Sequence, residues 1–127
     1  MRGIETGKSG VATTTVTSSN TARAVGSGNL PVFATPMMVA LMEEAACNCI
    51  GDYLEAGESS VGIQVNVAHT SASSIGANIT ATATVTAIDR RKISFDITAH
   101  ENDGDKIIGT GTHERYVIDI QKFMDKL

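Results

Sequence analysis

With 127 residues, 42% of them hydrophobic and 19% charged, the chain has the length of one domain (1–127) with a real core and no room for a second. A formal charge of −4 gives no support to nucleic-acid binding, and the one basic run, Arg90-Arg91-Lys92, reads as a solvated hairpin tip or else a phosphate contact. No segment reaches the length of a membrane span and MRGIETGKSG has no apolar leader core, so the expected location is the cytoplasm, with no membrane partner.

Residues 10–18 (GVATTTVTS) are β-branched and predict a first strand, followed by a Ser-, Gly- and Asn-rich loop over 19–31. The run TPMMVALMEEAACNCIGDYL then predicts the one long helix. Thr35 suits the N-cap, and Pro36 suits the first helical position, where a missing N–H costs nothing. Gly57 suits C′ beyond Leu54. Some 20 residues make a helix about 30 Å long, and one apolar nearly all round is expected to be wrapped by other structure. Its Cys47 and Cys49 point roughly 200° apart, share no metal or disulfide there, and read as small buried residues of a reducing compartment.

Alternation marks the rest. Over 61–69, Val61, Ile63, Val65, Val67 and His69 share an apolar face, with Gln64 and Asn66 opposite. Over 77–87, Ala77, Ile79, Ala81, Ala83, Val85 and Ala87 oppose a threonine ladder. Over 93–99, Ile93, Phe95, Ile97 and Ala99 alternate with polar residues, and the Asp89-Arg90-Arg91 break makes a hairpin of the last two. A final strand, 106–120, carries Gly109 and Gly111 as bend or bulge signals, and QKFMDKL is a short-helix candidate. The expected fold class is α+β: an antiparallel sheet of about five strands wrapped around one long central helix. Three Phe, two Tyr and no Trp leave Ala, Thr and Val to let the helix lie close on the sheet.

Three polar residues stand out against this apolar background. The neighbours of Glu43 one turn away are Val39, Ala40, Ala46 and Cys47, which argues against a solvated carboxylate. His69 closes its strand on the inward face; alone it reads more readily as a satisfied core or strand-end histidine. A carboxylate and an imidazole that both point inward are costly unless they satisfy each other or do chemistry. Thr35 is a good N-cap whatever else it does, and the first-turn N–H groups beside it form an anion-stabilising site. His113 and Arg115 share one face of the last strand and read as an outer-surface or dimer-contact pair.

The layout resembles the hotdog fold. The blocks VFATPMMVALMEEA (32–45), VGIQVNVAHTSA (61–72) and GTGTHERYVID (109–119) resemble, in order and spacing, the bacterial thioesterases grouped with fluoroacetyl-CoA thioesterase. That resemblance implies an acyl-CoA thioesterase with Thr35, Glu43 and His69 as catalytic residues. It also implies a homodimer, or a higher oligomer, with each site at the interface and reached by the pantetheine arm. Backbone N–H groups of Thr35–Met38, Pro36 excepted, would polarise the thioester carbonyl. Phe33, Met37, Met38, Gly62 and Arg115 are the expected substrate or CoA contacts. No metal and no cofactor is expected, CoA being part of the substrate. The fluoroacetyl-specific enzyme carries a lid of Phe residues before its helix. Here that region reads AVGSGNLPVF, flexible and small, with Phe33 alone, so ordinary small or medium acyl-CoA substrates are expected. The rival readings are a non-catalytic acyl-CoA or small-ligand binding module and a hotdog hydratase/dehydratase; the latter normally needs an Asp and a His a few residues apart in one loop.

Overall fold

The computed structural model describes residues 1–102 and 105–127. Strands β1 (Ser9–Thr15), β2 (Glu58–His69), β3 (Asn78–Asp89), β4 (Lys92–Glu101) and β5 (Lys106–Asp119) form one antiparallel sheet in the order β1-β3-β4-β5-β2. Helices α1 (Ala22–Val25), α2 (Thr35–Ile50) and α3 (Ile120–Asp125) complete the chain, and α2 lies against the inner face of the sheet. This is the α+β hotdog arrangement expected from the alternation. Among the described residues no helix is long and apolar enough to cross a membrane.

The period-2 reading of β3 and β4 accounts for the core. Ile79, Ala81, Ala83, Val85, Ile93, Phe95, Ile97 and Ala99 are all buried, as are Met38, Leu41, Met42, Ala45, Ala46, Cys49 and Ile50 on the facing side of α2. Fully burying one of the large side chains contributes about 1.5–3 kcal/mol, so this seam dominates the stability. Small residues set the spacing. A Cβ on Gly10 of β1 would lie 2.4 Å from the Cys49 backbone N, so only glycine lets that strand touch the helix backbone.

The boundaries differ from the sequence reading in instructive ways. Ala34, not Thr35, is the N-cap of α2, and it provides no side-chain cap; Thr35 is the first helical residue. The helix ends at Ile50 and passes into a 3-10 turn, Gly51–Tyr53, while Gly57 (φ +83°) turns the chain into β2 instead of capping the helix. Cys47 is exposed and only Cys49 is buried, because Cys47 lies on the exposed strip of the helix with Pro36, Ala40, Glu44 and Asn48. The segment before α2 is more ordered than its glycines imply. It contains α1, capped by the Thr21 hydroxyl, and is strapped by Ala22 N–H to Val32 O (2.8 Å) and Arg23 N–H to Leu30 O (3.1 Å). At the β3–β4 hairpin, Arg90 takes the left-handed turn position (φ +58°) while Arg91 folds back on Val117 O and Glu58.

One irregularity governs the site. In β2 the register with β5 slips between Gly62 and Gln64, leaving Ile63 as the extra residue of a bulge. Residues after the bulge keep the expected parity: Val65, Val67 and His69 oppose His113, Gly111 and Gly109, on the inner face. Residues before it are reversed. Ser60 and Gly62 face inward, opposite Val117 and Arg115, and Val61 and Ile63 turn outward. The expected single face from Val61 to His69 is therefore broken in the middle. Glycine signals in β5 behave similarly: the expected bend appears as a register shift between Ala99 and His100, opposite Gly109 and Ile107.

Candidate active site

Two polar clusters sit on the inner side of the sheet, and both involve α2. The first is at the start of the helix. Thr35 Oγ1 and His69 Nδ1 share a hydrogen bond of 2.8 Å. Because Ala34 rather than Thr35 caps the helix, the threonine hydroxyl is free to make this bond. His69 Nε2 is buried and has no hydrogen-bond partner among the described residues. Burial pushes the imidazole pKa below its ordinary value, with the Ser71 backbone opposing it. A neutral imidazole beside a hydroxyl is the form that can accept a proton.

The pair borders a cavity of about 250 Å³ whose other walls include Ala22, Ser27, Val32, Phe33 and Thr70. Phe33 is buried and joins this wall to the core. Met38 is fully buried, filling the space that the missing side chain of Gly109 leaves, and half-buried Met37 lines a separate groove with Thr13, Thr14 and Leu41. The N–H groups of Met37 and Met38 both donate to Ala34 O at 3.0 Å. That commitment narrows the expected set of carbonyl-polarising donors to the Thr35 N–H, which makes no backbone hydrogen bond among the described residues.

The second cluster lies two turns further along α2, about 12 Å from Thr35 by helix rise. Glu43 Oε2 accepts from Arg115 Nη1 at 3.1 Å. Its side chain is 39% exposed, so it stands at the margin of the core rather than inside it. Arg115 is also held by Ser60, donating to Oγ at 2.8 Å and to the carbonyl at 3.1 Å. His113, fully buried and stacked on Phe95, lies with Nε2 3.3 Å from Arg115 Nη1 and Nδ1 2.7 Å from Gln64 O. Gly62 completes the group: a Cβ there would stand 2.5 Å from Glu43 Oε2. The space left by the missing side chain of Gly62 is thus taken by the end of the Glu43 side chain.

The structure brings Thr35 and His69 together and keeps Glu43 with Arg115, so the three candidate catalytic residues do not form one group within a chain. The outer-surface part of the reading of His113 and Arg115 is corrected: both are buried within the chain and face inward, and the guanidinium is held by Glu43, Ser60 and His113. A signal for this existed. Counting back by twos from apolar Val117 places Arg115, His113, Gly111 and Gly109 on the core face. Ser60 was missed because the bulge hides its parity.

The model of the fluoroacetyl-CoA-specific thioesterase family matches residues 16–121. The fluoroacetyl-CoA thioesterase of Streptantibioticus cattleyicolor is 45% identical over 96 residues, covering 76% of this chain and 68% of that protein. A solved structure of a fluoroacetyl-CoA-specific thioesterase superposes with a TM-score of 0.89 at 37% identity, covering 98% of this chain and 96% of the other. A Thermus thermophilus thioesterase superfamily member gives 0.90 at 30% identity, covering 99% and 92%.

Proposed function

The chain belongs to the fluoroacetyl-CoA-specific thioesterase family, and from that membership we propose the following working of its site. It is an acyl-CoA thioesterase: a thioester hydrolase that yields a free acid and CoA. The reaction is carried by Thr35, His69 and Glu43, brought together across a homodimer interface.

Support for the dimer comes from β2. It is an edge strand of 12 residues, and it leaves Ile63 51% and Val65 37% exposed, a long apolar edge of the kind proteins cover. Antiparallel pairing of two such edges about a two-fold near Val65 and Asn66 sets His69 of one protomer across from the Ser60–Gly62 segment of its partner. Glu43 lies against Gly62, so the partner's Glu43 faces the Thr35–His69 pair. The separation of the two clusters within one chain then becomes the reason the enzyme needs two.

In this site the Thr35 N–H polarises the thioester carbonyl at the start of α2. Glu43, positioned by Arg115, uses its second oxygen to take a proton from water or to attack the carbonyl directly. In the water route His69, neutral at rest because of burial, receives the proton that Glu43 has taken from water and passes it to the departing thiolate, with Thr35 fixing the ring. One observation favours a second route: Thr35 Oγ1 lies 2.8 Å from a neutral imidazole, the spacing of a nucleophile and its base. No cofactor is invoked beyond the CoA of the substrate. The free thiols of Cys47 and Cys49 suit a reducing cytoplasm.

Substrates are proposed to be ordinary small or medium acyl-CoAs, since the expected lid segment gives this cavity only Ser27, Val32 and the single aromatic Phe33, which is buried in the core. The carrying observation is the Thr35–His69 bond at the head of α2. Thiol release from a panel of acyl-CoAs, with a 3-hydroxyacyl-CoA dehydration control, tests the reading. Glu43→Gln is expected to bind acyl-CoA normally and to lose turnover by two or more orders of magnitude. Near-normal turnover in Glu43→Gln would move the chemistry to the Thr35–His69 route.

A further inference from the structure

His113 takes no part in the reaction just described, yet it is among the most completely buried polar side chains of the molecule. Its two nitrogens have unlike neighbours. Gln64 O can only accept a hydrogen bond and the Arg115 guanidinium can only donate one. A neutral ring satisfies both in one tautomer: Nδ1–H donates to Gln64 O (2.7 Å) and the bare Nε2 accepts from Arg115 Nη1 (3.3 Å). The stack on Phe95, with centroids 5.9 Å apart, fixes the ring plane. The Gln64 carbonyl belongs to the residue that follows the β2 bulge, so the bulge that turns Gly62 inward also supplies the anchor for His113.

We propose that His113 is a positioning residue for the hydrolysis, acting through Arg115 to hold the Glu43 carboxylate in its reactive placement. The same Nη1 that donates to Glu43 Oε2 at 3.1 Å also lies against His113 Nε2, while Nε and Nη2 are tied to Ser60. Ser60 therefore fixes one edge of the guanidinium and His113 fixes the other. Without the Nε2 lone pair, Nη1 can swing with the half-exposed carboxylate, and displacement of a reacting group by about 1 Å can cost about a hundredfold in rate. Burial favours the neutral ring, and the Arg115 charge adds to that effect against the Gln64 backbone and the Glu43 and Glu114 charges.

The inference rests on Glu43 being the acting carboxylate, and the test separates the two. His113→Phe keeps the ring shape and the stack but removes the acceptor; His113→Gln restores an acceptor near the Nε2 position. The expected result is a ten- to hundredfold fall in kcat for His113→Phe with KM within about twofold, and recovery of most of it in His113→Gln. In an Arg115→Met background, His113→Phe is expected to cost little more. Equal losses in the Phe and Gln variants, a change confined to KM, or an undiminished loss in the Arg115→Met background would overturn the role. Nitrogen-15 NMR of wild-type His113 needs no variant to fold: it is expected to show Nδ1 protonated and Nε2 bare at neutral pH, and the opposite tautomer would also overturn it. Glu43→Gln, assayed alongside, is expected to lose turnover. Full activity there would remove the premise, whereas its loss beside normal turnover in His113→Phe would remove only the role of His113.

Discussion

An imidazole buried beside a threonine hydroxyl loses solvation when it takes up a proton, and this sets the pH behaviour of His69. Its folded-state pKa lies below the ordinary value of 6.5, so the neutral, proton-accepting form persists to lower pH than in a free histidine. The acidic limb of kcat/KM is therefore expected below pH 6.5, and a limb centred at or above pH 7 would contradict the assignment. The sign for stability agrees: the unfolded chain binds the proton more readily, so this contribution is present above 6.5 and is lost as pH falls through the folded value. Gly62 makes the same argument by sterics. A methyl group there must displace the end of the Glu43 side chain, 2.5 Å away, while leaving the backbone of the bulge in place. Gly62→Ala is expected to fold with a near-normal Tm and to lower kcat at least tenfold; unchanged kcat would show that the carboxylate works from some other position.

The elements were legible in the sequence where one rule acted alone. Strict alternation of Ile, Ala and Val against threonine fixed β3 and β4 to within two residues, because burial on one face leaves no other register. The reading failed where two rules competed. Val61 and Ile63 continue the apolar pattern of β2, so composition conceals a bulge that only the pairing with β5 reveals. Thr35 is a better cap than Ala34 by propensity, but its hydroxyl is taken by His69, 34 residues away. Arg115 was misplaced because its partner Glu43 is 72 residues distant and no local pattern links them. The exposed edge of β2 carries its own prediction. Val65→Lys sets two ammonium groups close together at the proposed two-fold, and is expected to give a monomer by light scattering that no longer releases thiol. A variant that stays dimeric and fully active would place the interface elsewhere.

For the whole molecule, the close likeness to fluoroacetyl-CoA thioesterases and the small residues before α2 pull in different directions on substrate choice. A cavity bordered by Ala22, Ser27, Val32 and Phe33, with no further Phe, Tyr or Trp among the described residues, distinguishes similar acyl groups by only about 1–3 kcal/mol, or ten- to two-hundredfold. The ratio of kcat/KM for fluoroacetyl-CoA over acetyl-CoA is expected within that range; a preference above about a thousandfold would mean that another part of the chain seals the pocket. The central claim is that each site takes Thr35 and His69 from one protomer and Glu43 from the other. Subunit mixing tests it most directly: the inactive Glu43→Gln and His69→Asn proteins are refolded together and thiol release is measured. In a shared site, each mixed dimer has one site carrying both substitutions and one site carrying neither, so activity should return towards one wild-type site per mixed dimer. If all three residues acted within one chain, every site would lack a group, and the mixture would stay as inactive as its parents.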